Sequence, residues 1–149
     1  RCFVKHATLM FQKELARRIT AKPGNKDYGR LTVMLAYCAD IKSIATVNAS
    51  LFYPAPKIDS EVVEINFNVG RQYPPHDEGM LFQVIKAAFG NRRKTLKNAL
   101  SISNLRIEPP MAQQALRAAG IDPGRRAETL GAAEFVALQI RLSQTLKTP

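Results

Sequence analysis

Phe52 and Tyr53 are the residues best suited to chemistry on a planar group. They stand at the head of Leu51-Phe52-Tyr53-Pro54-Ala55-Pro56-Lys57-Ile58-Asp59-Ser60-Glu61-Val62-Val63. Pro54 and Pro56 each fix φ at about −65° and push their predecessors, Tyr53 and Ala55, into extended conformations. Neither proline can donate to a sheet ladder, so the segment reads as a stiff, exposed connector between strands. A rigid loop that holds an aromatic face beside a cation, here Lys57, can stack and position a nucleobase. The same aromatics would serve equally as core plugs where a strand ends, because aromatic side chains are usually buried.

A second candidate is a run of charge. Lys86, Arg92, Arg93, Lys94 and Lys97 fall in a stretch without a single acid. On a helix over 92–100, Arg93 and Lys97 are i, i+4 neighbours that repel each other in isolation. A phosphate backbone relieves that repulsion and adds counterion release, which makes binding salt-dependent. Lys13, Arg17 and Arg18 form a smaller basic group on an earlier helix, where RNA contact competes with a simple solvated face. A DNA-reading helix-turn-helix fits poorly, because Thr95-Leu96 and Ala99-Leu100 put apolar residues where base-contacting side chains belong.

Other chemistries find no residues. There is no Ser/His/Asp set, no metal-spaced His or Cys, and no P-loop. Cys2 and Cys38 are too few and too far apart for a disulfide framework or a zinc site, which favours a reducing compartment. His6 reads as a strand-edge residue and His76 as an exposed loop residue beside Pro74 and Pro75. The 149 residues carry a formal net charge of +10, which argues for a polyanionic partner, nucleic acid before an anionic membrane surface. With 46% hydrophobic residues the chain can bury one good core or two small ones. No apolar run is long enough to span a membrane.

The elements that must position these residues follow from periodicity. Residues 2–11 form a short apolar run, suited to a strand buried on both faces of a mostly parallel sheet. Residues 12–21 read as a helix with Phe11, Leu15 and Ile19 facing in, ended by Pro23-Gly24, and residues 31–39 as a second, short helix. Residues 41–49 and 60–68 are strand candidates, and the diproline loop between them makes an antiparallel pair. Residues 69–79 are a Pro- and Gly-containing linker. Four helices follow, over 80–89, 92–100, 111–119 and 127–146, the third opened by Pro110 and closed by Gly120.

Four stretches resemble one family, the ribosomal RNA adenine dimethyltransferases of the KsgA type, related to the Erm methylases. Phe-Tyr-Pro-Ala-Pro-Lys-Ile-Asp-Ser-Glu-Val-Val resembles its Phe-x-Pro-x-Pro-Lys-Val-x-Ser-x-Val signature. Residues 9–19 resemble its Met-Val-Gln-Lys-Glu-Val-Ala-x-Arg segment. Residues 21–33 resemble its Pro-Gly-x-x-x-Tyr-Gly-x-Leu-Ser-Val loop, with Thr32 in the Ser place, and residues 89–98 its Arg-Arg-Lys-Thr-Leu-x-Asn helix. The family's Gly-rich donor loop and its Asn-Leu-Pro-Tyr motif have no counterpart, since Asn48-Ala49-Ser50-Leu51 is not that tetrapeptide.

The resemblance implies an α/β fold: the C-terminal part of a Rossmann-like methyltransferase sheet followed by a small all-helical domain. The expected division is 1–69 as the C-terminal half of a catalytic domain, 70–79 as linker, and 80–149 as a helical RNA-engaging domain. It implies a cytoplasmic parent enzyme that uses S-adenosylmethionine to dimethylate two adjacent adenosines of small-subunit ribosomal RNA, within a pre-30S particle. Phe52 would stack on the target adenine, with Tyr53, Pro54, Pro56 and Lys57 as the base-pocket loop. No catalytic residue is expected in this chain, which alone would not bind the donor. Considered alone, it is expected to act as a non-catalytic RNA-binding or ribosome-assembly module, and its open strand edges favour dimerisation.

Overall fold

Alternation along Ser60–Asn66 builds the middle strand of a three-stranded sheet. The computed structural model describes residues 3–67 and 73–147. They divide into two units, Arg1–Lys22 with Asp27–Arg71 and Pro23–Lys26 with Gln72–Pro149. In the first, β1 (His6–Gln12) and β2 (Asp40–Val47) flank β3 (Ser60–Asn66) in the order β1-β3-β2, both pairings antiparallel. Gln12 and Val47 lie opposite Ser60 at one end, and His6 and Asp40 lie opposite Asn66 at the other. The β2 register slips between Ser43 and Ala45.

Two helices cover one face of this sheet, α1 (Lys13–Thr20) and α2 (Arg30–Cys38). Ala16 and Ile19 of α1, Ala39 beyond α2, and Val63 and Ile65 of β3 form the core, with Phe11, Leu15 and Leu35 packed around them. The period-2 pattern of β3 therefore aims its Val63/Ile65 side at the helices. The two helices are tied together by Thr32, which is buried. Its hydroxyl donates to the Arg18 carbonyl at 2.7 Å and accepts from the Gly29 N–H at 3.1 Å. One side chain thus satisfies a carbonyl near the end of α1 and an amide at the start of α2.

The expectation for the first strand needs correction. β1 pairs antiparallel and at the edge, and Leu9 and Met10 are 45% and 50% exposed. Continuous apolarity reported strand propensity correctly, but in this chain helices pack against only one face, so a doubly apolar strand is left half open.

The second unit is helical: α3 (Glu78–Gly90), α4 (Leu96–Ser101), α5 (Pro109–Ala118) and α6 (Ala132–Lys147). Asp77 caps α3 by accepting from the Met80 N–H at 3.0 Å, so the helix begins inside the stretch expected to be linker. Residues 68–72, which include part of that linker, lie outside the described residues, as does Cys2. Leu81, Val84, Ile85 and Ala88 of α3 are buried, as are Leu96, Ala99 and Leu100 of α4 and Ala112, Ala115 and Leu116 of α5. From α6, Phe135, Leu138 and Leu142 complete that core. Gly120 closes α5 at φ +72°, a conformation that favours glycine.

Two helix boundaries differ from expectation. The helix expected over 92–100 starts only at Leu96, because the Lys94 N–H turns back to the Asn91 carbonyl and Thr95 stays extended. The helix expected over 127–146 is broken at Leu130-Gly131. Residues Ala127–Thr129 form a separate turn, and Glu134 accepts from the Gly131 N–H at 2.9 Å to start α6. Arg125 bonds the same carboxylate. Burial raises the Glu134 pKa, but these bonds outweigh that and hold it below its ordinary value. His76 also departs from the exposed reading: its ring is half-buried, edge-on to Tyr73, with Nδ1 2.7 Å from the Pro74 carbonyl.

Candidate nucleic-acid interface

The connector from β2 to β3 begins with a tight turn at Ala49–Leu51. Asn48 starts it, its side-chain oxygen accepting from the Ser50 N–H at 3.0 Å and from the Ser50 hydroxyl at 2.9 Å. Phe52 follows in extended backbone, φ −109° and ψ 151°, and is half-buried. Tyr53 is 102% exposed, and Pro54, Ala55, Pro56, Lys57 and Ile58 are exposed after it. Of the two readings of this aromatic pair, the core plug does not describe Tyr53.

Asp59 closes the loop. Its carboxylate accepts from the Ala49 N–H at 3.1 Å and from the Lys13 ammonium at 3.1 Å, and its carbonyl accepts from the Lys13 N–H at 3.0 Å. The Ala49 amide, then the Lys13 hydrogen bond, hold the Asp59 carboxyl below its ordinary range. The start of the loop, its end and the first residue of α1 therefore meet at one carboxylate. Sequence alone places Asp59 in its motif without a role. The available signal was an Asp directly after a proline-rich turn, a residue type that bonds nearby backbone amides.

Of the basic candidates, three have partners. Lys13 pairs with Asp59, and Arg18 pairs with Glu14 at 2.9 Å on the α1 surface. Arg92 donates to the Lys26 carbonyl and lies 3.6 Å from the Glu128 carboxylate. Arg93 and Lys94 are exposed in the turn between α3 and α4, and Lys86 is exposed on α3. Lys97 is half-buried on α4. Because Arg93 precedes the helix, the expected i, i+4 face of Arg93 and Lys97 does not form. The cluster is a turn followed by a helix start. Arg17 is exposed on α1. Among the described residues, Arg17, Lys86, Arg93, Lys94 and Lys97 form no ion pair.

The first unit contains a cavity of about 370 Å³ whose lining includes Lys22, Asp40, Lys42, Glu64 and Asn66. Lys42 and Glu64 there are bonded to each other at 2.7 Å, which raises the lysine pKa and lowers that of the glutamate. This cavity lies at the Asn66 end of β3, whereas the Phe52 loop leaves from the Ser60 end. At about 3.3 Å per residue the two are roughly 20 Å apart. Asn48 is committed to its turn. The cavity and the Phe52 loop therefore lie toward opposite ends of β3 among the described residues. Among them no cluster could hold a metal ion, and no helix is long and apolar enough to cross a membrane.

Comparison with known proteins supplies the relatives. A family model described as Ribosomal RNA adenine dimethylase matches residues 1–144. The chain is 50% identical over 135 residues to a protein of Desulforapulum autotrophicum named Ribosomal RNA small subunit methyltransferase A, covering 91% of this chain and 48% of that protein. A protein of the same name from Geobacillus kaustophilus is 44% identical over 146 residues, covering 94% of this chain and 48% of the relative. The chain thus spans about half the length of these curated relatives. Among solved structures, a dimethyladenosine transferase from Plasmodium falciparum matches with TM-score 0.79 at 23% identity, over 97% of this chain and 59% of that one. The 23S rRNA methyltransferase ErmE matches with TM-score 0.63 at 25% identity, over 94% of this chain and 55% of that one. The fold is accordingly part of a Rossmann-like methyltransferase, carrying a small antiparallel sheet, followed by helices.

Proposed function

Since the chain belongs to the ribosomal RNA adenine dimethylase family, we propose that its parent protein dimethylates two adjacent adenosines of small-subunit ribosomal RNA. The methyl donor is S-adenosylmethionine, the setting is ribosome biogenesis in the cytoplasm, and the partner is the pre-30S particle. Residues 1–69 are the C-terminal half of the catalytic domain, and the helical part from α3 onward, which begins at Glu78, is an RNA-engaging domain. The basic group of Lys86, Arg92, Arg93, Lys94 and Lys97 holds phosphates, with Arg17 and its neighbours Lys13 and Arg18 as a second contact. Such contacts position RNA without reading its sequence.

The observation that carries this reading is the Asp59-closed loop presenting Phe52 on extended backbone. A target adenine must leave the RNA stack for its exocyclic amine to be reached. The amine is a poor nucleophile, because its lone pair is delocalised into the ring. What this chain can contribute is therefore position: the Phe52 ring stacks on the flipped base, and a pinned loop fixes that ring. Tyr53, Pro54, Pro56 and Lys57 form the rest of the loop wall. The chain supplies no catalytic group and no donor contact.

For the isolated chain we propose RNA binding without catalysis, since the family's Gly-rich donor loop and Asn-Leu-Pro-Tyr motif have no counterpart in its sequence. Calorimetric titration with S-adenosylmethionine and then with a small-subunit RNA fragment tests both parts. No donor binding with salt-dependent RNA binding is the expected result. Donor binding at micromolar strength would overturn the assignment of the donor site outside this chain. Absence of RNA binding would overturn the RNA-engaging role.

A further inference from the structure

Tyr53 is the most exposed large hydrophobic side chain among the described residues, at 102%, and it directly follows the half-buried Phe52. Its loop also shows Leu51 at 74% and Ile58 at 47% exposure. Three large apolar side chains left in water on one short loop are available to meet a partner. This exposure belongs to a segment held at both ends, since Asp59, at the loop's end, binds the Ala49 amide at its start and Lys13 of α1.

In extended backbone, successive side chains project to opposite sides. Phe52 has φ −109° and ψ 151°, so its ring and that of Tyr53 cannot close on one face of the same base. Each needs its own partner. When a nucleotide leaves the stack, the base beside it loses a stacking neighbour, and an aromatic side chain can take that place. Lys57, exposed on the same loop, and the net charge of +10 favour a nucleic acid over an apolar protein surface.

We infer that Tyr53 stacks on the nucleobase adjacent to the one received by Phe52, so that the loop grips two consecutive nucleotides. This rests on the reading of Phe52 as the stacking residue for the methyl-accepting adenine. Stacking accepts any base, so Tyr53 contributes affinity and register and leaves base identity unread.

The test uses the full-length enzyme and RNA fragments carrying 2-aminopurine either at the mapped target or at each flanking nucleotide. Binding is read by quenching of the fluorescent base, and methylation of the unsubstituted fragment gives kcat and KM. Tyr53→Ala should abolish quenching at one flanking position, spare the target signal and raise KM about tenfold with little change in kcat. Tyr53→Phe, which keeps the ring, should behave as wild type. Unchanged flanking signals and KM in Tyr53→Ala would overturn the inference. Phe52→Ala separates the two claims. If it leaves the target signal unchanged, the underlying reading fails; if it changes that signal while Tyr53→Ala leaves the flanking signals and KM unchanged, only the role of Tyr53 fails.

Discussion

Lys13 reaches across 46 residues of chain to Asp59, its ammonium 3.1 Å from the carboxylate, while its own N–H donates to the Asp59 carbonyl at 3.0 Å. One residue pair thus joins the first turn of α1 to the strand that follows the aromatic loop. A lysine expected on a solvated or RNA-facing surface is also part of the loop's foundation. Its side chain is 35% exposed, so the ionic part of the bond is weakened by solvent, and geometry is its main contribution.

Removing that foundation should loosen the loop without unfolding the unit. In Asp59→Ala, amide exchange across residues 48–58 is expected to accelerate, beginning with Ala49. Asp59→Asn keeps an oxygen for the Ala49 N–H but loses the charge for Lys13, so its exchange should fall in between. Identical exchange in all three proteins would remove Asp59 from the account of how Phe52 is positioned.

The same carboxylate sets a pH dependence. Its folded pKa lies below the unfolded value because the charged form accepts from the Ala49 amide and from Lys13. A depressed pKa stabilises the fold above the unfolded value, about 3.9, and that contribution is lost as pH falls through the folded value. Loop protection should therefore be flat from neutral pH to about 5 and decline only in the acid range. A decline centred near neutrality would assign the effect to another group.

Phe52→Ala in the full-length enzyme should lower methylation by about tenfold to about a hundredfold, the range expected for one base–aromatic stack. Donor affinity, measured by calorimetry, should stay as in wild type. Undiminished methylation would end the stacking role.

Arg92 and its neighbours should part company on mutation. Arg93→Ala combined with Lys94→Ala is expected to reduce the salt slope of RNA binding by about one unit for each phosphate no longer neutralised, with thermal stability unchanged. Arg92→Ala should lower the melting temperature as well, because its guanidinium joins the Lys26 carbonyl to Glu128. An unaltered slope in the double variant would identify the turn as a solvated surface.

The helical core gives a stability reference. Leu100 is fully buried on α4, and Leu100→Ala should destabilise the chain by about 2–5 kcal/mol in denaturant titration. A loss well below that range would mean that α4 repacks.

What the sequence made legible was whatever local rules decide. The strand–diproline–strand pairing, the helices around Ile19 and Leu35, and the stop at Gly120 all follow from period, proline and glycine. The errors arose where one tertiary contact outweighs a local rule. Arg92, Arg93 and Lys94 look helical, but the chain turns at Asn91 and resumes at Leu96, whose burial fixes the start of α4. Residues 127–146 look like one helix, but Glu134 folds back on Gly131 and splits it. The prolines mark the connector as exposed, but nothing in a pair of adjacent aromatics says that Tyr53 is left in water while Phe52 is half covered. Asp59 and Thr32 went unassigned because their partners, Ala49, Lys13 and Arg18, are brought to them only by folding.

The strand order β1-β3-β2 also sets a schedule for assembly. β3 is the last of the three to be synthesised, yet it sits in the middle, so β1 cannot begin to pair with it until Ser60, the partner of Gln12, has been made. The β1–β3 pairs close loops of 48 residues at Gln12–Ser60 and 60 residues at His6–Asn66, against 13 for the Val47–Ser60 pair. Loop-closure entropy makes the hairpin of β2 and β3 the natural nucleus and the docking of β1 a later, slower step. The aromatic loop is the turn of that hairpin, so it forms early. It is locked only when Lys13, at the end of β1, arrives to meet Asp59.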